Sequence, residues 1–185
     1  MSIKDILKLD DDSIIKGCLK NDRLYQEALY RKFADKMYRV AWTYAKDEDE
    51  ACDILQEGFI NVFRKLDRYK FEGSFEGWVR RVIINKALEH YRAKKRKEEV
   101  IREYNEHQTL STDDLLSGIQ AKELVNMVNH LPEKAAMVLK LYAIEGYAHR
   151  EIADMMGISE GTSKSQLNRA RGLLRAKINK IDGGE

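Results

Sequence analysis

The chain has 185 residues, 43% of them hydrophobic and 35% charged, which fits one globular domain or two small ones. Its 33 basic and 31 acidic residues give a net charge of only +2, so overall charge says little about partners. The sequence lacks CxxC and HExxH motifs, a glycine-rich phosphate loop and any run of ~20 apolar residues, which argues against the common metal, nucleotide and membrane-spanning classes and against an enzyme. Cys18 and Cys52 are predicted to be reduced core thiols, and the N-terminus has no apolar signal core, so a cytoplasmic protein is expected.

An all-α protein is predicted, because Pro132 is the only proline and β-branched alternation is sparse. The first amphipathic helix is expected to begin near Ile14, with Asp12 or Ser13 as its cap. Asp22 is expected to cap the second helix, which ends near Tyr44. Trp42 falls within the apolar stripe of that helix, which favours a packed aromatic over a residue that stacks on DNA.

A third helix is predicted to start at the acidic run 47–50, because acids in a first turn complement the helix dipole. Its polar face carries Asp53, Gln56 and Glu57 beside Phe59 or Ile60, one of which we expect to be exposed. This face is either solvated surface or a docking site for a basic partner.

Residues 70–77, KFEGSFEG, are predicted to form a loop before a long helix that begins near Trp78. Phe71 and Phe75 either cover the hydrophobic core or hold an unstacked base, since stacking on an aromatic side chain stabilises each bound base by ~1–3 kcal/mol. Polar side chains on the outer face of the long helix are available to phosphates: Arg80, Arg81, Asn85 and Lys86. The helix is expected to end at the basic run 94–97, because cations suit a helix C-terminus.

Charge is sorted into blocks along the middle of the chain. Residues 78–97 carry eight basic residues and one acid, whereas residues 98–116 carry six acids and one arginine. Loss of helical periodicity in the acidic block predicts a linker at 98–118 between an N-terminal domain, 1–97, and a C-terminal domain, 119–185. Within the second domain, Pro132 is expected in the first turn of a helix that Gly146 ends.

The last part of the chain has the pattern of a helix-turn-helix, with a short helix from His149, the turn Gly157-Ile158-Ser159 and a second helix capped by Ser159. Residues 161–180 carry six lysines or arginines and no acid, a charge distribution that suits phosphate backbone. The N-terminal part of such a second helix reaches base edges. Its candidate DNA-binding residues are Gly161, Thr162, Lys164, Ser165, Asn168, Arg169 and Arg171.

Two blocks of sequence resemble one family. Residues 49–97, with the motif DILQEG, resemble the second conserved domain of bacterial sigma factors, and residues 131–178 resemble their fourth. With only these two domains and a short linker, the chain resembles an extracytoplasmic-function (ECF) sigma factor, the minimal class. The resemblance implies a subunit that binds RNA polymerase core and reads −35 and −10 promoter elements, with no cofactor and no chemistry of its own.

The family resemblance also implies roles for individual residues. Asp53, Gln56 and Glu57 are expected to contact the clamp coiled coil of polymerase β′, and the C-terminal domain to dock on the β flap. The −10 candidates are Phe71, Phe75, Arg80, Arg81, Asn85 and Lys86. The candidates in the helix-turn-helix become the −35 reader, and an anti-sigma factor is a further possible partner.

Two positions depart from the family pattern. Ser163 stands where a GTVKS motif has Val, and its hydroxyl is expected to weaken the helix's core contact or to bond back to a carbonyl. His149 replaces an aromatic or acidic residue and either meets a phosphate or has no function. Two alternatives to a sigma factor stay open, a stand-alone helix-turn-helix regulator and a sigma-like decoy that binds an anti-sigma factor.

Overall fold

The computed structural model describes residues 2–104, 127–128 and 130–182, and these divide between two compact units, residues 1–99 and residues 100–185. The described residues form helices and loops without a strand, so the prediction of an all-α protein is confirmed. Among them, no helix combines the length and apolar character needed to cross a membrane.

Five α-helices and a short 3₁₀ helix, Leu66–Arg68, begin in the described part of the first unit: α1 (Ile3–Ile6), α2 (Asp11–Leu19), α3 (Arg23–Tyr44), α4 (Glu48–Lys65) and α5 (Phe75–Tyr104). Asp22 and Asp47 cap α3 and α4, each accepting a hydrogen bond from a backbone N–H of the first turn. The expected cap of α2 was wrong. Asp10 accepts from Ser13 N at 2.7 Å, so the helix begins earlier than its first apolar residue indicates.

The bounds predicted for the long helix were also wrong at both ends. α5 begins at Phe75, where Ser74 accepts a hydrogen bond from Gly77 N, and it continues to Tyr104. Neither Gly nor Pro follows the basic run 94–97, and residues 98–104 include glutamates and an arginine, which are good helix formers. The start of the predicted linker is therefore helical, and residues 105–118 lie outside the described part of the chain.

Two side chains of the first unit, those of Trp42 and Cys52, face the opposite way from the prediction, and the choice between Phe59 and Ile60 as the exposed residue is settled in favour of Ile60. Trp42 is 49% exposed, because a 100° step per residue turns it away from the buried neighbours Met37 and Ala41. Phe59 is buried at 3% exposure and packs on Tyr30, with ring centroids 4.7 Å apart. Cys52 is exposed, and only Cys18 is a core thiol, whose pKa burial raises to about 11.

The second unit contains α6 (Glu133–Leu139), a π-helical segment Lys140–Ile144, α7 (His149–Met156) and α8 (Glu160–Asp182). Pro132 lies one residue before α6, where its missing N–H does no harm, and Gly146 follows the π segment with φ 77°. Leu131, Ala135, Ala136 and Ala170 form a buried cluster that seats α8 on α6. Of the first residues of the predicted C-terminal domain, 119–126 and 129 lie outside the described residues.

Candidate nucleic-acid interface

The predicted turn between α7 and α8 is confirmed in detail. Gly157 ends α7 in the left-handed conformation with φ 65°, which a residue without Cβ adopts at no steric cost. The hydroxyl of Ser159 accepts a hydrogen bond from Thr162 N at 3.0 Å and so caps the start of α8. These two local interactions fix where α8 begins relative to α7.

One stripe of α8 is buried and the opposite side faces solvent. The buried residues are Ser163, Leu167 and Ala170, which follow one another at helical spacing. Six of the seven candidate DNA-binding residues are exposed: Gly161, Lys164, Ser165, Asn168, Arg169 and Arg171. Thr162 is half-buried and its hydroxyl contacts Ser159 Oγ at 2.8 Å, so it belongs to the edge of this surface.

Two of the exposed side chains make local contacts within the helix. Lys164 Nζ lies 2.7 Å from Glu160, and this hydrogen bond lowers the pKa of the glutamate. Ser165 donates its hydroxyl to the carbonyl of Thr162 at 3.0 Å. Both contacts are exposed and therefore contribute little stability, which leaves these groups open to exchange with a ligand.

Arg171 is placed differently from the other candidates. Its guanidinium lies over the ring of Tyr142, 5.6 Å from the centroid, within cation–π range. At 100° per residue Arg171 falls about 80° from Ser163, on the flank of the helix. Arg171 is thus exposed on the same side as Lys164, and it differs from the other candidates in its contact with Tyr142 of the π segment.

In the first unit, α4 presents the acidic face that the sequence indicated. Asp53, Gln56 and Glu57 are exposed, and Ile60, 44% exposed, extends the same side of the helix. Because Phe59 is buried, Ile60 is the apolar residue that accompanies these polar groups. The face therefore combines two carboxylates, an amide and one aliphatic side chain.

Glu57 joins this face to α5. Its Oε2 lies 3.2 Å from His90 Nε2 and 3.3 Å from Lys86 Nζ, which also contacts Glu89 at 2.6 Å. The hydrogen bonds from His90 and then Lys86 lower the pKa of Glu57, and those to Glu89 and then Glu57 raise the pKa of Lys86. A polymerase-binding candidate and a −10 candidate are thus in direct contact.

The two phenylalanines predicted to meet the −10 element, Phe71 before α5 and Phe75 at its start, differ in exposure. Phe71 is 44% exposed with φ 56°, and its ring lies 5.1 Å from Tyr69, whose hydroxyl donates to Gly73 O at 3.0 Å. Phe75 is only 4% exposed and packs against Phe33 at 5.5 Å. Phe75 therefore covers the core, which is the first of the two alternatives, and cannot stack on a base without leaving that position.

The polar candidates of α5 differ in exposure. Arg81 and Asn85 are exposed and lie one helical turn apart, so they share a face. Arg80 is half-buried, and the side chain of Lys86 is only 15% exposed. Arg81 and Asn85 are thus the two α5 candidates best placed to meet a ligand.

The sequence did not indicate the roles of His90 and Tyr142, or the contacts of His149. His90 lies four residues after Lys86 on the side of α5 that meets α4, a spacing that could have paired it with the same carboxylate. Tyr142 and His149 stack at 4.8 Å, and His149 contacts Ser163. No local pattern indicates these last contacts, because they join three separate segments.

Comparison with known proteins gives two family matches in chain order. Residues 29–97 match the family described as Sigma-70 region 2, and residues 121–174 match that described as Sigma-70, region 4. The ECF RNA polymerase sigma factor SigE of Mycolicibacterium smegmatis is 31% identical over 159 residues, which cover 80% of this chain and 60% of that protein. The ECF RNA polymerase sigma-E factor of Haemophilus influenzae is 24% identical over 183 residues, which cover 92% of this chain and 96% of that protein.

A solved structure supports the fold independently. The sigma factor RpoE in complex with the anti-sigma factor NepR, from Bartonella quintana, aligns with a TM-score of 0.54 at 18% identity, covering 83% of this chain and 96% of that one. The helical fold and the separate matches to two regions of one family agree. The chain therefore belongs to the sigma-70 family of bacterial RNA polymerase sigma factors and has the two-region organisation of its extracytoplasmic-function group.

Proposed function

We propose that the chain is a promoter-specificity subunit that binds RNA polymerase core and directs initiation at promoters with −35 and −10 elements. The observation that carries the proposal is the exposed, capped N-terminal part of α8, seated on α6 by its apolar stripe. The acidic α4 face and the loop with Phe71 supply the other two contacts that such a subunit needs.

The −35 element is read as duplex by the first turns of α8. Asn168 and Arg169 carry the donors and acceptors that distinguish base edges in the major groove, and Gly161 and Ser165 keep the helix narrow enough to enter it. Lys164 can exchange its exposed contact with Glu160 for a phosphate, which draws on counterion release. Thr162 lies beside them at the start of the helix.

The −10 element is bound as a melted strand at the loop before α5. Removing a base from the duplex stack costs a few kcal/mol, and stacking it on an aromatic ring offsets ~1–3 kcal/mol of that cost. Phe71 is the exposed ring there, and Arg81 and Asn85 lie on the helix that follows. Arg80 and Lys86 are less exposed and suit backbone contacts, while Phe75 supports the loop from the core.

Polymerase docks on the outward face of α4. Asp53, Gln56 and Glu57 offer acceptors to a basic surface, and Ile60 offers apolar area at the edge of the same patch. The family resemblance assigns this face to the clamp coiled coil of β′ and assigns the C-terminal unit to the β flap. The chain thereby delivers promoter DNA to the catalytic site of the polymerase, acts in the cytoplasm and catalyses no reaction itself.

An anti-sigma factor is a further partner in this proposal. The similar RpoE fold was solved with the anti-sigma factor NepR, which supports a search for such a protein. Any anti-sigma factor that covers the α4 face prevents polymerase docking without altering the fold of the chain.

The test is transcription in vitro with purified core polymerase, the full chain and genomic DNA, followed by sequencing of transcript 5′ ends. We expect discrete start sites that share a two-part upstream motif and that are absent without the chain. A decoy or a stand-alone regulator predicts unchanged transcription, and the stand-alone regulator also predicts that the chain alone protects duplex DNA. Either result would overturn the proposal.

A further inference from the structure

A hydrogen bond lies within the buried seam between α7 and α8. Ser163 is 0% exposed, and its Oγ lies 2.9 Å from Nδ1 of His149, the first residue of α7. Neither alternative offered for this serine, a weakened core contact or a bond back to a carbonyl of its own helix, anticipated a partner on α7. Both positions depart from the family pattern, and the structure brings the two departures into contact.

His149 is held from a second side by an aromatic ring. Tyr142 stacks on the imidazole, with centroids 4.8 Å apart and planes at 21°. The guanidinium of Arg171 lies over the same tyrosine, 5.6 Å from its centroid. A continuous path of contacts thus leaves α8 at Arg171, crosses Tyr142 and His149, and returns to α8 at Ser163.

This closed path fixes α8 in two respects. Ser163 and Arg171 lie eight residues apart, which is about 12 Å along a helix at 1.5 Å per residue. Two attachments at that separation restrain both the tilt of α8 and its rotation about its own axis. An apolar contact alone restrains these less well, because hydrogen bonds and stacked rings are directional and dispersion is not.

Ser163 lies among the residues that meet bases. Thr162 and Lys164 flank it, and Ser165 follows, so a rotation of α8 at Ser163 moves all three across the base edges. Recognition groups need to be held within about 0.5 Å of their productive positions. The orientation of α8 therefore bears directly on base discrimination.

We propose that His149, Ser163, Tyr142 and Arg171 form an orienting brace, and that His149 is a positioning residue that determines −35 base preference without contacting DNA. The proposal rests on the proposed function of α8 as the −35 reader. It assigns Arg171 to the brace, where its cation is held by Tyr142, and removes it from the set of base-reading side chains.

The experiment uses holoenzyme assembled from core polymerase and the full-length chain. A promoter taken from the transcription assay is made as a library with the −35 positions randomised, and bound sequences are counted. The variants are His149→Phe, Ser163→Ala and the double variant, because each single change leaves the other polar group without its partner. Core affinity and thermal melting are measured in parallel for each protein.

We expect each single variant to lower the preference for the best −35 base about two- to tenfold, the lower part of the range of coupling between contacting residues. The double variant should lose no more preference than the worse single variant. The part of the core affinity that depends on the α4 face should remain unchanged, because α4 lies in the other unit. Additive losses, or unchanged base preferences in folded variants, would overturn the brace.

Arg171→Gln provides a second measurement that does not depend on the buried pair. If the brace is correct, this variant changes the same −35 base preferences and leaves the salt dependence of binding unaltered. If Arg171 instead contacts a phosphate, binding weakens uniformly over all sequences and the salt slope falls by about one, which contradicts the brace. If wild-type holoenzyme enriches no −35 motif, the proposed function itself fails, which is a separate outcome.

Discussion

Gly58 allows α4 and α5 to approach each other closely in the core of the first unit. A Cβ added at Gly58 would collide with Cδ1 of Ile83, a residue at 0% exposure, and would lie 3.6 Å from its Cα and Cγ1. The neighbouring residue Glu57 contacts Lys86 and His90, one and two turns beyond Ile83. We therefore predict that Gly58→Ala destabilises the first unit and that Ile83→Val compensates for it.

The magnitudes follow from the atoms involved. Overpacking by one methyl group costs ~1–3 kcal/mol, and Ala returns ~1 kcal/mol of helix propensity relative to Gly. Gly58→Ala should thus lower the free energy of unfolding by up to ~2 kcal/mol. Ile83→Val removes the colliding Cδ1 and alone costs ~0.5–1.5 kcal/mol. In the double variant the new methyl fills the vacated space, so its stability should return to the wild-type value or exceed it.

Tryptophan fluorescence during urea unfolding measures this unit selectively, because Trp42 and Trp78 are the two tryptophans of the chain and both lie in residues 1–99. Trp78 is packed against Phe75, with ring centroids 5.7 Å apart, and reports the loss of this core. Gly77→Ala on α5 is the matched control, since its Cβ would meet nothing nearer than Ser74 at 3.9 Å and should not destabilise. If the two single effects simply add in the double variant, α4 and α5 do not meet through this methyl and the reasoning is refuted.

Three further variants test separate parts of the structure. Asp53→Arg should abolish core binding while changing stability by only about 0.5 kcal/mol, because the side chain is exposed, and unchanged core affinity would remove Asp53 from the docking face. Arg169→Ala should weaken promoter binding by ~1–3 kcal/mol and relax specificity at one −35 position, whereas an equal loss on all sequences would identify a phosphate contact. Burial lowers the pKa of Lys140, and the charge of Glu133 opposes this shift. At a pH just above the pKa of Lys140 in the folded state, the unfolded chain therefore binds more protons than the folded chain, so stability rises with pH in that range. Lys140→Met should therefore raise the melting temperature at pH 7, and a gain that does not shrink as pH approaches about 10.4 would contradict a desolvated ammonium.

Features set by neighbours in sequence were predictable. The caps Asp22 and Ser159 and the turn at Gly157 depend only on residues within four positions, so the sequence alone predicts them. The face of α4 with Asp53 and Gln56 follows from helical spacing alone. The prediction for Trp42 was wrong because the same spacing places it one 100° step from the buried Ala41.

Contacts between distant segments were not predictable from one sequence. Ser163 and His149 each looked like an isolated departure, and only the fold shows that the hydroxyl and the imidazole meet at 2.9 Å. Phe71 and Phe75 share the same local composition, yet one is exposed and the other is buried against Phe33, a residue of α3. Burial of a loop aromatic depends on what the rest of the chain places beside it, which periodicity does not encode.

The contact between Glu57 and Lys86 has a consequence for how the two proposed faces of the first unit work together. Both His90 and Lys86 approach the same Oε2 atom of Glu57, so a basic surface that docks on Asp53 and Gln56 competes with them for that carboxylate. Lys86 then keeps its contact with Glu89 at 2.6 Å but loses its contact with Glu57. Its positive charge therefore becomes more available to a phosphate. Residues that share one charged contact do not contribute additively. Under the proposed function, the free energies of polymerase docking on α4 and of −10 binding on α5 are therefore coupled through this carboxylate, and substitutions at Glu57 and Lys86 must be interpreted as a pair.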